Sequence, residues 1–202
     1  MTKEMSGTSV TTCSKRRLAE MLFLANAVVF QIAWLLSVIG GAQQMPWLGP
    51  LAALIAFALH LLAARKPFEE VLLVLSCALI GASFDSMLVA AGWVTYKAGL
   101  FSDYFAPYWI ITMWMLFAMT LNVSMRWLRG KPKLAILLGF YGGPASYIAG
   151  QALGGIVLAN QVAALAALAI GWAVMMPLLM RLAENLDGMP GPRRNWIAAP
   201  SQ

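Results

Sequence analysis

Asp85 stands alone as an acid in the middle of a long apolar run, between Glu69-Glu70 and Trp93. A carboxyl held away from water is ionised only where donors or water surround it, so it suits proton handling or ligand binding. On a helix its neighbours at spacings of three, four and seven are Ala78, Gly81, Ala82, Val89 and Gly92. That small-residue face packs against other helices and not against lipid, so Asp85 points inward. Two readings stay open: a functional carboxylate, or a buried acid hydrogen-bonded to neighbours such as Tyr147 or Thr112.

Other polar groups interrupt the apolar runs. Depth along each run, at ~1.5 Å per residue, sorts them into two layers. Asn26, His60, Asn122 and Tyr141 fall on one side of the midplane, Asp85, Thr112, Tyr147 and Gln151 on the other, and Gln31 near the middle. His60 is the single histidine and follows Gly49, Ala53 and Ala56 along a small face. Its ring can exchange a proton near neutral pH, but a hydrogen-bonded packing role is the favoured reading. Gly143, Tyr147, Gln151 and Gly154 share one helical face, with Pro144 among them. The glycines read as close helix packing, or alternatively as backbone opened to a ligand; Tyr147 and Gln151 stay open.

Several chemistries lack their residues. One histidine and one deep acid are too few for a metal site, so no metal is expected. There is no phosphate-binding loop, no HExxH and no nucleophile elbow, and no cofactor is expected. Cys13 and Cys77 are too few for a disulfide framework.

The elements that position these groups follow from composition. Of the 202 residues, 61% are apolar and only 11% are charged, against ~25% charged in soluble domains. That points to a membrane protein. Six apolar stretches, at roughly 18–40, 46–64, 69–93, 107–128, 134–156 and 161–182, each approach the ~20 residues that cross a bilayer as a helix. The fold class expected is therefore all-α: a polytopic bundle of six transmembrane helices over 18–184. Flexible cytoplasmic tails are expected at 1–17 and 185–202. A cleaved signal peptide ending at Gly40-Gly41-Ala42 is disfavoured, because the apolar core from Met21 is long and carries Asn26 and Gln31.

Charge sets the orientation. With the N-terminus inside, all 14 Lys and Arg except Lys97 fall on the cytoplasmic side, as the positive-inside rule requires. The net charge of +6 then faces anionic lipids, and no nucleic-acid partner is needed. Trp47, Trp93, Tyr96, Tyr104, Tyr108 and Trp109 form an aromatic belt at the outer interface. Lys66-Pro67-Phe68-Glu69-Glu70 reads as a helix start whose acids cap it; in a minority reading one of them stands at a pocket mouth. The 94–107 loop reads as a solvated interfacial loop, the sixth helix as purely structural. No internal repeat is evident, so an inverted-repeat carrier gains no support.

Asn26 with Trp34, the Gly81-to-Asp85 stretch, Pro107-Tyr108-Trp109, Trp114-Met115-Leu116-Phe117-Ala118 and Gly142-Gly143-Pro144-Ala145-Ser146-Tyr147 resemble an uncharacterised family of bacterial inner-membrane proteins, a domain of unknown function. The resemblance covers about residues 20 to 182. It implies a multi-pass inner-membrane location and carries over no catalytic role. Members are sometimes labelled metal-transporter permeases, a label that this ligand-poor interior opposes. Their genes neighbour lipid-modifying enzymes, which implies lipid chemistry. Three functions are expected in this order: lipid or isoprenoid handling, small-solute transport, and a structural or assembly role with a membrane-protein partner.

Overall fold

The computed structural model describes the backbone of residues 5–190 and the side chains of residues 20–190. Six α-helices follow in order: α1 (Met5–Ala42), α2 (Leu48–Ala63), α3 (Pro67–Ala90), α4 (Tyr108–Leu121), α5 (Pro132–Ala152) and α6 (Gln161–Asn185). The helical expectation holds, with one addition. Short strands β1 (Val94–Tyr96) and β2 (Ile156–Leu158) pair antiparallel, Val94 facing Leu158 and Tyr96 facing Ile156. Residues 5–17, expected as part of a flexible tail, are helical backbone at the start of α1; residues 1–4 and 191–202 of the expected tails lie outside the described residues.

Three segments are long and apolar enough to cross a membrane: Glu20–Ala42, Pro67–Ala90 and Gln161–Asn185. Apolar side chains fill the core and cover the outside as well. Ser37, Glu70 and Asp85 are sealed inside, while Leu62, Leu79, Val162 and Ile170 stand at 84%, 71%, 82% and 65% exposure. So large a continuous apolar exterior requires an apolar solvent.

The expected fourth helix, 107–128, stops at Leu121 and turns through a short 3-10 helix, Arg126–Leu128. Asn122 ends it by putting its amide into a buried polar cluster described below. With 14 residues α4 spans ~21 Å, less than the ~30 Å of hydrocarbon. It lies against α1, α2 and α3, and its non-helical continuation is tolerated because protein covers much of it.

The helices pair as α1 with α2, α3 with α4 and α5 with α6. The last two pairs are built alike, which corrects the expectation of no repeat. Each opens with a Lys-Pro, Lys66-Pro67 or Lys131-Pro132, proline in the first helical turn. Each first helix ends on a left-handed glycine, Gly92 (φ +69°) or Gly154 (φ +82°), then enters a strand. The closing hydrogen bonds match one for one: Gly92 N to Val89 O and Trp93 N to Leu88 O, Gly154 N to Gln151 O and Gly155 N to Gly150 O. The two strands pair around Thr95 and Val157, which puts a local two-fold axis between the units. Both units run in the same direction, so the repeat is parallel and not inverted. Composition hid it, because the duplicated positions share backbone roles and few side chains.

Candidate functional site

Asp85 is fully buried on α3, at the junction of the two units. Its Oδ1 accepts from Tyr96 Oη at 3.2 Å and from Tyr147 Oη in a very short contact; its Oδ2 accepts from Trp114 Nε1 at 2.6 Å. Three donors on one carboxylate are what an acid needs in a low-dielectric interior. The expected partner Tyr147 is confirmed. Thr112 is not a partner: its hydroxyl donates to Trp109 O, one turn back on its own helix.

The repeat explains why these groups meet. Asp85 and Tyr147 stand at equivalent positions, each seven residues before its unit's left-handed glycine. Gly81 and Gly143, one turn earlier, are also equivalent, and each has a tryptophan ring over its missing side chain, Trp114 and Trp172 respectively. Those two indoles stack on one another, centroids 4.7 Å apart and planes 16° apart. An acid bonded to its counterpart and an indole stacked on its counterpart mark a shared centre.

Beside this centre lies a cavity of about 430 Å³. Aromatic and aliphatic side chains wall it, among them Phe30, Trp34, Trp114, Phe117 and Trp172. Its polar groups are few: Gln31, Asp85, Ser146 and Tyr147. α1 packs on α2 and α4, and α5 packs on α6, so the cavity lies where α1 and α5 face one another. Gln31 on α1 and Gly142 on α5 line it and reach the surface, which places its mouth between these two helices. A Cβ at Gly142 would meet nothing within 4 Å, whereas Gly139 and Gly143 are closed off by Trp172. Gly139 and Gly143 thus let α6 approach, as the packing reading expects, while Gly142 faces open space.

The comparisons with known proteins give one finding. Residues 23–178 match the family described as proteins of unknown function, DUF2878. The chain belongs to the DUF2878 family. The matched DUF2878 span contains Asp85, its three donors and the residues named around the cavity. No curated protein and no solved structure matches the chain.

The other expected residues lie elsewhere. Gln151 is exposed, and its Oε1 accepts from Leu158 N to fasten β2. Tyr141 is 67% exposed and packs edge-on to Phe140. Asn26 ties α1 to the turn after α4, donating to Met119 O and accepting from Ser124 Oγ at 2.7 Å. His60 and Asn122 converge on a second polar cluster around Glu70, which is fully buried and no mere helix cap. Glu70 Oε2 lies 2.8 Å from His60 Nε2, and Oε1 accepts from Asn122 Nδ2 and Gly188 N, each at 2.8 Å. Arg129 donates to Asn122 Oδ1 and, at 2.8 Å, to Asp187 Oδ2; Arg126 reaches Asp187 Oδ1 at 2.9 Å. Burial lowers the Arg126 guanidinium below its ordinary range, and Asp187 opposes that. The expected tail from residue 185 is thus clamped as far as Met189, which is buried.

Sequence reading missed Tyr96, Trp114, Glu70, Asp187 and Trp172 as contributors. Tyr96 was assigned to the interfacial belt, yet it is buried. The 94–107 segment is in part a fixed strap: Trp109 Nε1 donates to Ala98 O, and Ala106 N to Ser86 Oγ. From the sixth helix, Trp172 lines the cavity. A signal was present: aligning the two units on Gly92 and Gly154 puts Tyr147 opposite Asp85 and Gly143 opposite Gly81. Among the described residues no cluster of His, Cys, Asp and Glu has the makeup of a metal site.

Proposed function

We propose that this protein takes a lipid or isoprenoid molecule from the bilayer into the cavity beside Asp85, as an enzyme or as an accessory to a lipid-modifying one. The observation that carries the reading is the cavity itself: apolar walls, a mouth between two membrane-facing helices, and one donor-bound carboxylate at its polar end. An apolar pocket with a few convergent polar groups is the usual makeup of a small-molecule site. Asp85 orients the polar part of the ligand, and Tyr147, Tyr96 and Trp114 fix its position.

In this reading all six helices cross the inner membrane of a bacterium, with both ends cytoplasmic. The distribution of basic residues supports the orientation, and the basic loops lie along anionic headgroups. Both Lys-Pro helix starts then face the cytoplasm, and the strand pair lies at the outer side.

The test is comparative lipidomics of a deletion strain complemented with wild type, Asp85→Asn or Gly142→Trp. Asparagine turns an amide donor toward the Trp114 indole N–H or the tyrosine hydroxyls and unbalances the site. Tryptophan at 142 projects into the open mouth. Wild type is expected to restore a lipid species lost on deletion, and both variants to fail while accumulating in the membrane. An unchanged lipidome on deletion sinks the proposal.

A second reading, a small-solute carrier, gains from the parallel repeat with its polar centre on the axis between units. It requires water at Asp85. Cysteines placed along the cavity would then react with a water-soluble maleimide from at least one side, and complete protection from both sides would eliminate it.

A further inference from the structure

The two stacked indoles differ in what their N–H groups meet. In the first unit, the Trp114 indole N–H donates to Asp85. In the second, the equivalent of Asp85 is Tyr147, whose hydroxyl is spent on Asp85. The Trp172 indole is correspondingly left over: its Nε1 is buried and meets no acceptor among the described residues. A buried donor without a partner costs roughly 1–3 kcal/mol, and each one calls for an explanation. Trp172 lines the cavity and lies against Trp114, the indole that reaches Asp85.

We propose that Trp172 is the polar anchor of this cavity, its indole N–H donating to an oxygen of an uncharged long-chain ligand. The inference rests on the lipid reading above and names its ligand class. The cavity lining contains no Lys, Arg or His, so a phosphate or carboxylate head has no counter-ion there. Asp85 lines the same space and repels a second anion in a medium of low dielectric. A hydroxyl or ester oxygen meets both conditions. The Tyr96 and Tyr147 hydroxyls and the Trp114 indole are already spent on Asp85, so among the buried donors around it the Trp172 indole is still open to the ligand. The chain of the ligand then lies along Trp34, Phe30 and Phe117 toward the mouth at Gly142.

The experiment uses the full chain in phospholipid nanodiscs. Three chain-brominated probes of equal length are titrated: octadecanol, methyl octadecanoate and octadecane. Quenching of tryptophan fluorescence reports binding, since Trp34 and Trp114 also line the cavity. Gly142→Phe, with its mouth filled and no indole added, supplies the background. For wild type the alcohol and the ester are expected to bind about tenfold more tightly than the alkane, the worth of one hydrogen bond in an apolar site. Trp172→Phe keeps the stacked ring and loses the N–H, so all three probes should then bind as the alkane does. If Trp172→Phe retains the preference, or wild type never shows one, the Trp172 assignment is overturned while the lipid cavity stands. If no probe quenches wild type beyond the Gly142→Phe background, the lipid reading falls and takes this inference with it.

Discussion

Replacing Glu70 with alanine should lower the unfolding free energy by roughly 3–5 kcal/mol, the range for breaking a buried charged pair. The reason is what remains after the carboxylate is gone. His60, Asn122 and the Gly188 amide all lose their acceptor, and the nearby Arg126 and Arg129 keep only Asp187 as a counter-charge. The loss is non-local: Glu70 on α3 joins α2, the turn after α4 and the segment after α6. Glu70→Gln is the informative control. Its amide oxygen still accepts from Asn122 and Gly188, and its amide nitrogen can donate to His60 in the tautomer whose Nε2 accepts. It should cost about 1–3 kcal/mol. Thermal unfolding of the detergent-purified variants measures both. Equal midpoints for Glu70→Ala and wild type would show that the cluster contributes nothing to stability.

Gly81→Ala should damage the protein out of proportion to one methyl group. The new Cβ would stand 1.9 Å from Trp114 Cδ2, well inside contact distance, so the indole must shift. That indole holds Asp85 at 2.6 Å and stacks on Trp172, so a packing error becomes a site error. Overpacking of this kind costs typically about 1–3 kcal/mol. Gly142→Ala is the matched control on the other helix. Nothing lies within 4 Å of its Cβ, and alanine favours the helix over glycine by about 0.8–1.0 kcal/mol. The expected result is a lowered melting point and lost lipid complementation for Gly81→Ala, with an unchanged or raised melting point for Gly142→Ala. Indistinguishable melting points for the two alanines would refute the close contact between Gly81 and Trp114.

The two polar centres differ in their surroundings. The Glu70 carboxylate is bonded to α2, to the turn after α4 and to the segment after α6, and it makes a clamp. A smaller cavity of about 190 Å³ adjoins it beside His60, Asn26 and Met189. The Asp85 centre opens onto the larger cavity and keeps an unspent donor within it.

By itself the sequence determined the helices, the apolar exterior and the burial of Asp85. Those follow from local facts: long apolar runs can satisfy their backbone only as helices, and an isolated acid within one must face its own bundle. The small-residue face around Gly81 already said which way Asp85 points. Tertiary structure decided the rest. Tyr96 and Tyr108 both read as interfacial aromatics, yet only Tyr96 bonds Asp85, because the strand pair folds it inward. Glu69 and Glu70 are neighbours with the same apparent capping role. Helical rotation gives Glu69 to Lys66 and sends Glu70 to His60 and Asn122. Asp187 and Gly188 lie in a segment that looks like a loose tail until the arginines after α4 and Glu70 draw it in. Trp172 is an apolar residue in an apolar helix until its counterpart in the other unit shows what its N–H lacks. Each of these depends on contacts between residues far apart in the chain, which hydropathy and spacing along one helix do not encode.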